Sequence, residues 1–187
     1  MSVHTEMDVR FWYRLTTLGI SGNRLRSVPS ELSLCCSLRV LALSANRIEK
    51  LSCQMGSLRS LVELRLDDNP LVSLPDDLPP SLRLMGLSVC SKLAALPSCV
   101  GRLQNLCELA VGAARLEALP RSVSDLGRLQ TLQLSGNTIN SVSVLCARIF
   151  LNAHICGIPL SSRLCVLKCL IDFLQLSCHK TLEEWLR

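Results

Sequence analysis

Six frames of apolar residues recur along this chain with starts 23, 23, 21, 24 and 23 residues apart. The clearest, residues 61–71, reads LVELRLDDNPL: Leu61, Leu64, Leu66 and Leu71 are apolar, and Asn69 stands two before the last. Leu15, Leu18, Ile20, Asn23 and Leu25 fall in the same frame, as do Leu38, Leu41, Leu43, Asn46 and Ile48. The others are Leu82, Met85, Leu87, Cys90 and, after one extra residue, Leu93; Leu106, Leu109, Val111, Ala114 and Leu116; and Leu129, Leu132, Leu134, Asn137 and Ile139. Alternation around Leu64 and Leu66 predicts a short strand with one face in a core. Such a strand is too short to bury an apolar face alone, so each frame must be one coil of a stack.

The polar position of the frame has its own physical logic. The residue sits where the chain turns out of the strand, and an Asn side chain both donates and accepts, satisfying backbone groups the turn would leave buried and unpaired. Asn23, Asn46, Asn69 and Asn137 are suited to this, Cys90 only weakly, and Ala114 not at all. The sequence therefore predicts a structural ladder of Asn23, Asn46, Asn69, Cys90 and Asn137, weakened in coils four and five.

The pattern LxxLxLxxNxL over residues 15–142 resembles the leucine-rich repeat family. The second halves, with Leu74-Pro75, Leu96-Pro97 and Leu119-Pro120, resemble its intracellular Ras-associated class of 23-residue repeats, and CSKLAALP from Cys90 resembles the cysteine variant of plant resistance-protein repeats. The resemblance implies an α/β fold: a right-handed β-α solenoid with a parallel concave sheet, short helical or extended returns on the convex side, and a protein-binding role.

Three regions are expected. Residues 1–14 read as a partial coil capping the first repeat, with Thr5 and Asp8 as a helix start and Trp12 and Phe11 over the open end of the core. Residues 15–142 are the six repeats. Residues 143–187 read as a helical C-terminal cap, with one helix from Ser161 or Ser162 to about Gln175 and another from Thr181; a docking helix is the alternative. Within the repeats, Pro29, Pro75, Pro97 and Pro120 stand near the starts of the returns, where a missing N–H costs least. Asp77-Leu78-Pro79-Pro80 precludes regular helix in the third return.

Composition narrows the function. With only 3% aromatics and a net charge of +5, the chain has no Lys/Arg run and no interleaved aromatics, so nucleic acid is not the expected partner. The eleven cysteines are odd in number, scattered, and mostly at apolar positions. The chain start lacks a signal-like apolar core, and no apolar run is long enough to span a membrane. These features predict an intracellular, cytoplasmic protein with free thiols.

Period-two geometry places the residues between the core leucines on the concave face. One column reads Thr17, Val40, Glu63, Leu84, Glu108, Thr131, and the next Gly19, Ala42, Arg65, Gly86, Ala110, Gln133. Charge gathers at Glu63, Arg65, Asp67 and Asp68; with Glu108 and Gln133 these are the candidate partner-binding residues. A basic row, Arg24, Arg47, Lys92 and Arg115, lies just after the Asn position, either simply solvated or attracting an acidic partner.

No catalytic constellation, phosphate loop or cofactor motif is present. His154, Cys156, Cys165, Cys169, Cys178 and His179 lack a metal-binding knuckle, so no metal and no cofactor are expected. The sequence predicts a non-enzymatic interaction module binding another protein. The alternatives are a regulatory or targeting subunit of a separate enzyme, and a fragment of a larger receptor-like or signalling protein.

Overall fold

The six frames fold with the alternation their spacing predicts. The computed structural model describes residues 9–51, 54–139 and 154–156, with side chains described from Trp12 onward. Strands β1 (Thr17–Gly19), β2 (Val40–Ala42), β3 (Glu63–Arg65), β4 (Leu84–Gly86), β5 (Glu108–Ala110), β6 (Thr131–Gln133) and β7 (His154–Cys156) form one parallel sheet in chain order. Leu18, Leu41, Leu64, Met85, Leu109, Leu132 and Ile155 lie side by side as its central row. The 21- and 24-residue intervals flanking coil four leave the register unbroken, because both length changes fall outside the strands.

The sheet thus runs one strand further than the six coils read from sequence. β7 lies within 143–187, the stretch read as a helical cap. Its central Ile155 keeps the frame, but Asn152 and Gly157 stand where the flanking leucines would be, which hides the repeat. The helices expected from Ser161 or Ser162 and from Thr181, and the helix start at Thr5, lie outside the described residues.

The returns are 3-10 segments rather than α-helices: Ser30–Leu34, Met55–Ser57, Ser98–Arg102 and Arg121–Asp125. A 3-10 helix rises about 2.0 Å per residue against about 1.5 Å for an α-helix, so a few residues span the convex side of a short coil. Pro29, Pro97 and Pro120 stand immediately before three of them, in extended backbone. Each segment ends by turning a residue into the core: the N–H groups of Cys35, Leu58, Leu103 and Leu126 bond the carbonyl three residues back. The return between β3 and β4 has no such segment, as Asp77-Leu78-Pro79-Pro80 requires.

The inward leucines, among them Leu41, Leu64, Leu82, Leu109 and Leu132, form one continuous buried cluster. Cys35, Cys90 and Cys99 are buried within it as small apolar groups. At the first coil Trp12, Leu15 and Leu18 pack half-buried against this cluster.

Strands β1 to β6 all end in the same turn. The residue before the ladder position has positive φ in all six coils: Gly22, Ala45, Asp68, Val89, Ala113 and Gly136. Its N–H still belongs to the sheet; Ala45 donates to the Asp67 carbonyl at 2.8 Å and Val89 to the Gly112 carbonyl at 2.7 Å. Glycine meets this requirement without strain, whereas a β-branched residue does not. Val89, at φ 60° and half exposed, is the most strained of the six. Val89→Gly is therefore expected to stabilise the protein by about 1 kcal/mol, the relief of left-handed strain exceeding glycine's extra unfolded-state entropy. A denaturant midpoint equal to or below wild type would contradict this.

Beyond the turn the Asn side chains stitch adjacent coils. Asn46 Nδ2 donates to the carbonyls of Ile20 (3.0 Å) and Leu43 (2.9 Å), and its Oδ1 accepts the Leu25 N–H at 3.1 Å. Asn69 repeats this with Leu43, Leu66 and Ile48, and Asn137 with Val111, Leu134 and Leu116. Asn23 bonds only carbonyls of its own coil, and Cys90 offers the Leu66 carbonyl a thiol at 3.5 Å. Coil five manages with Ala114 because the extra residue of coil four closes a turn in which Leu93 N–H bonds the Cys90 carbonyl at 2.9 Å. The donor that an Asn at position 114 would serve is already occupied.

Candidate functional site

The concave face is built by the outward residues of seven three-residue strands. Parallel strands stand about 4.8 Å apart, so equivalent side chains form straight columns. The register sets Glu63 between Val40 and Leu84, and Glu108 between Leu84 and Thr131; Arg65 lies between Ala42 and Gly86, and Gln133 between Ala110 and Cys156. β7 adds His154 and Cys156, which the six-coil reading left out.

The charged centre divides into two kinds of group. Glu63 and Arg65 project from one strand and form an ion pair, with side chains 27% and 52% exposed. An exposed pair of this kind contributes little to stability, which leaves it available for exchange with a partner's charges. Asp67 is different. Its Oδ1 accepts the Ser88 N–H at 2.8 Å and its Oδ2 the Ser44 hydroxyl at 3.4 Å, so one carboxylate ties coils two, three and four. Ser88 Oγ carries the row on by accepting the Gly112 N–H at 3.4 Å.

The Asp67 carboxylate also covers Gly86, where an added Cβ would meet Asp67 Oδ2 at 2.6 Å. Asp67 is thus committed to the scaffold, while Asp68, one residue on, is exposed at the left-handed turn position. Glu108 is half-buried and Gln133 exposed. Of the six candidate residues, five are accessible on or beside one continuous face and Asp67 is bound into it.

No group of three or more His, Cys, Asp or Glu converges as a metal site among the described residues. His154 Nδ1 and Cys156 Sγ stand 3.4 Å apart on β7; Cys165, Cys169, Cys178 and His179 lie outside the described residues. No described helix is long and apolar enough to cross a membrane.

Comparison with known proteins agrees with this geometry. Residues 13–71 match the leucine rich repeat family model. The chain is 29% identical over 183 residues to human oligodendrocyte-myelin glycoprotein, covering 82% of this chain and 42% of that protein. It is 32% identical over 126 residues to plant intracellular Ras-group-related LRR protein 8 of rice, covering 65% and 33% respectively. Among solved structures, the leucine-rich effector YopM of Yersinia pestis superposes with a TM-score of 0.62 at 26% identity, over 76% of this chain and 37% of that one. The chain spans less than half the length of each of these relatives.

Proposed function

We propose that this leucine-rich repeat protein is a non-enzymatic module that docks another protein on its concave face, with Glu63 and Arg65 at the centre. One observation carries the reading: an exposed ion pair stands amid small residues on a face that stays in register across seven strands. The flanking Ala42 and Ala110 let a partner's helix or loop approach the sheet closely, and Glu108 and Gln133 extend polar contact toward coil six. Among the described residues the face mixes charge signs and carries no Phe, Tyr or Trp, which favours a protein over a nucleic acid.

Pull-down with the wild type and with a Glu63→Lys/Arg65→Glu/Glu108→Lys variant tests this, with Arg115→Glu, on the edge of the coil, as control. The reading expects the same protein to be captured by wild type and control and lost from the triple variant. Equal capture by all three would move the binding surface elsewhere.

We also place the protein in the cytoplasm. The free thiols of Cys35, Cys36, Cys90, Cys99, Cys107 and Cys156 support a reducing compartment. Denatured protein taken from its native compartment should label at most of its eleven cysteines without prior reduction; labelling of one or two would overturn this. In the native state Cys90 should resist alkylation, because burial pushes its thiol up to about 11. The sign of the linkage follows: above about pH 9 the unfolded chain ionises Cys90 while the folded protein does not, so stability falls as pH rises from 9.0 towards 11.

A further inference from the structure

The edge where the chain leaves the strands carries a second backbone ladder. There Arg47 N–H bonds the Leu25 carbonyl at 2.9 Å, Arg115 the Leu93 carbonyl at 3.1 Å and Thr138 the Leu116 carbonyl at 3.0 Å. In coil three the equivalent residue is Pro70, which has no N–H, and the bond moves two residues on, from Val72 N–H to the Glu49 carbonyl at 3.0 Å. At this interruption lies a cavity of about 460 Å³ lined by Arg26, Arg47, Glu49, Pro70 and Lys92. Lys92 Nζ, from coil four, reaches over coil three to Glu49 Oε1 of coil two at 2.9 Å. Its ammonium, with Arg26 beyond it, holds the Glu49 carboxyl below its ordinary range.

The charges do not balance. Three cations face one carboxylate, and among the described residues no carboxylate lies within ion-pair distance of Arg26 or Arg47. The excess of two positive charges matches a phosphoryl group, which carries about −1.5 to −2 at neutral pH, and two guanidinium groups suit its oxygens by paired hydrogen bonds. The cations do not form the continuous track that a nucleic acid needs: Glu49 and Glu117 interrupt the edge, and among the described residues no aromatic ring borders the cavity to stack a base. Pro70 supplies instead an apolar side of the cavity, suited to a neighbouring side chain of a peptide.

We propose that this cavity is a docking site for a phosphorylated residue of a partner polypeptide, separate from the concave face. A degenerate pool of short fluorescent peptides with a fixed central phosphoserine tests it by anisotropy against the full chain, with the unphosphorylated pool alongside. The phosphorylated pool is expected to bind about tenfold tighter or more. Arg26→Gln/Arg47→Gln should remove most of that difference. Glu49→Gln, which deletes the competing carboxylate and frees Lys92, should tighten binding several-fold. Glu63→Lys and Arg115→Gln should leave it unchanged, which keeps this site distinct from the concave face. Matched unfolding midpoints show that the variants fold; if the double variant does not, the two single Arg variants and Glu49→Gln decide. Equal binding of both pools, or indifference to Arg26, Arg47 and Glu49, overturns the proposal. Binding of phosphoinositide vesicles or single-stranded RNA, with neither peptide pool bound, overturns it too.

Discussion

Asn69→Ala is expected to destabilise the protein by about 3 kcal/mol, at the upper end of the cost of leaving buried polar groups unpaired. Asn69 is 2% exposed, and its amide serves the Leu43 and Leu66 carbonyls, both at 3.0 Å, while its oxygen takes the Ile48 N–H, also at 3.0 Å. Alanine removes the side chain and leaves these backbone groups buried beneath coils on both sides. Asn23→Ala should cost well under about 1 kcal/mol, since Asn23 is exposed and spans no coil boundary. The pair separates the ladder from any general preference for Asn at a turn. Denaturant unfolding at unchanged slope checks both, and equal midpoints for the two variants would remove the ladder's role.

The same ladder shows what sequence reasoning reaches and where it stops. The register, the inward leucines and the bonding role of Asn46 and Asn69 were all legible, because a solenoid repeats one local solution and each coil confirms the next. Taken alone, the frame predicts that Ala114→Asn would be neutral or stabilising, by completing the ladder. The structure reverses that expectation. Leu93 N–H already bonds the Cys90 carbonyl, so the new amide oxygen would be buried with its natural donor engaged, and a loss of about 1–2 kcal/mol is expected. The extra residue of coil four and the missing Asn of coil five are one compensated change, visible only when both coils are seen together.

Other features were illegible for definable reasons. Positive φ before each ladder residue is announced by Gly22 and Gly136 but concealed by Ala45, Asp68, Val89 and Ala113, where packing overrides local preference. β7 was hidden because its frame keeps only the central apolar residue, Ile155, with Asn152 and Gly157 at the flanking positions of the sequence. On the concave face the columns were placed correctly, yet a list of charges could not tell Asp67, whose oxygens serve Ser44 and Ser88, from the accessible Glu63. The cavity beside Pro70 depends on Lys92 reaching across coil three to Glu49, a relation of 43 residues that no local pattern encodes.

The convex side carries the second large effect. Gly101 is buried in the 3-10 segment Ser98–Arg102, which lies against Arg121–Asp125 of the next coil. A Cβ at Gly101 would overlap the Ser122 carbonyl oxygen and stand 2.6 Å from the Ser122 Cβ. The obstructing oxygen belongs to the main chain, so no rotamer change relieves it and the two coils must part. Gly101→Ala is therefore expected to cost about 3 kcal/mol, the upper range for overpacking. At Gly56 the obstruction is the exposed Asp77 carboxylate, which can swing away, and Gly56→Ala should stay within about 0.5 kcal/mol of wild type. At Gly127 a Cβ meets nothing, so Gly127→Ala should be neutral or stabilising by about 0.5 kcal/mol. The small residues Ser33, Gly56, Gly101 and Ser124 share this column, the one sequence sign of close approach between returns. The effect bears on binding as well. Neighbouring coils hold one another through their shared boundary, and the boundary between coils four and five separates Glu63 from Glu108. Parting the returns there should weaken any partner that spans both residues, even though neither is altered. Unfolding midpoints of the three alanine variants give the ranking, and a Gly101→Ala protein as stable as Gly127→Ala would refute the close contact between the returns.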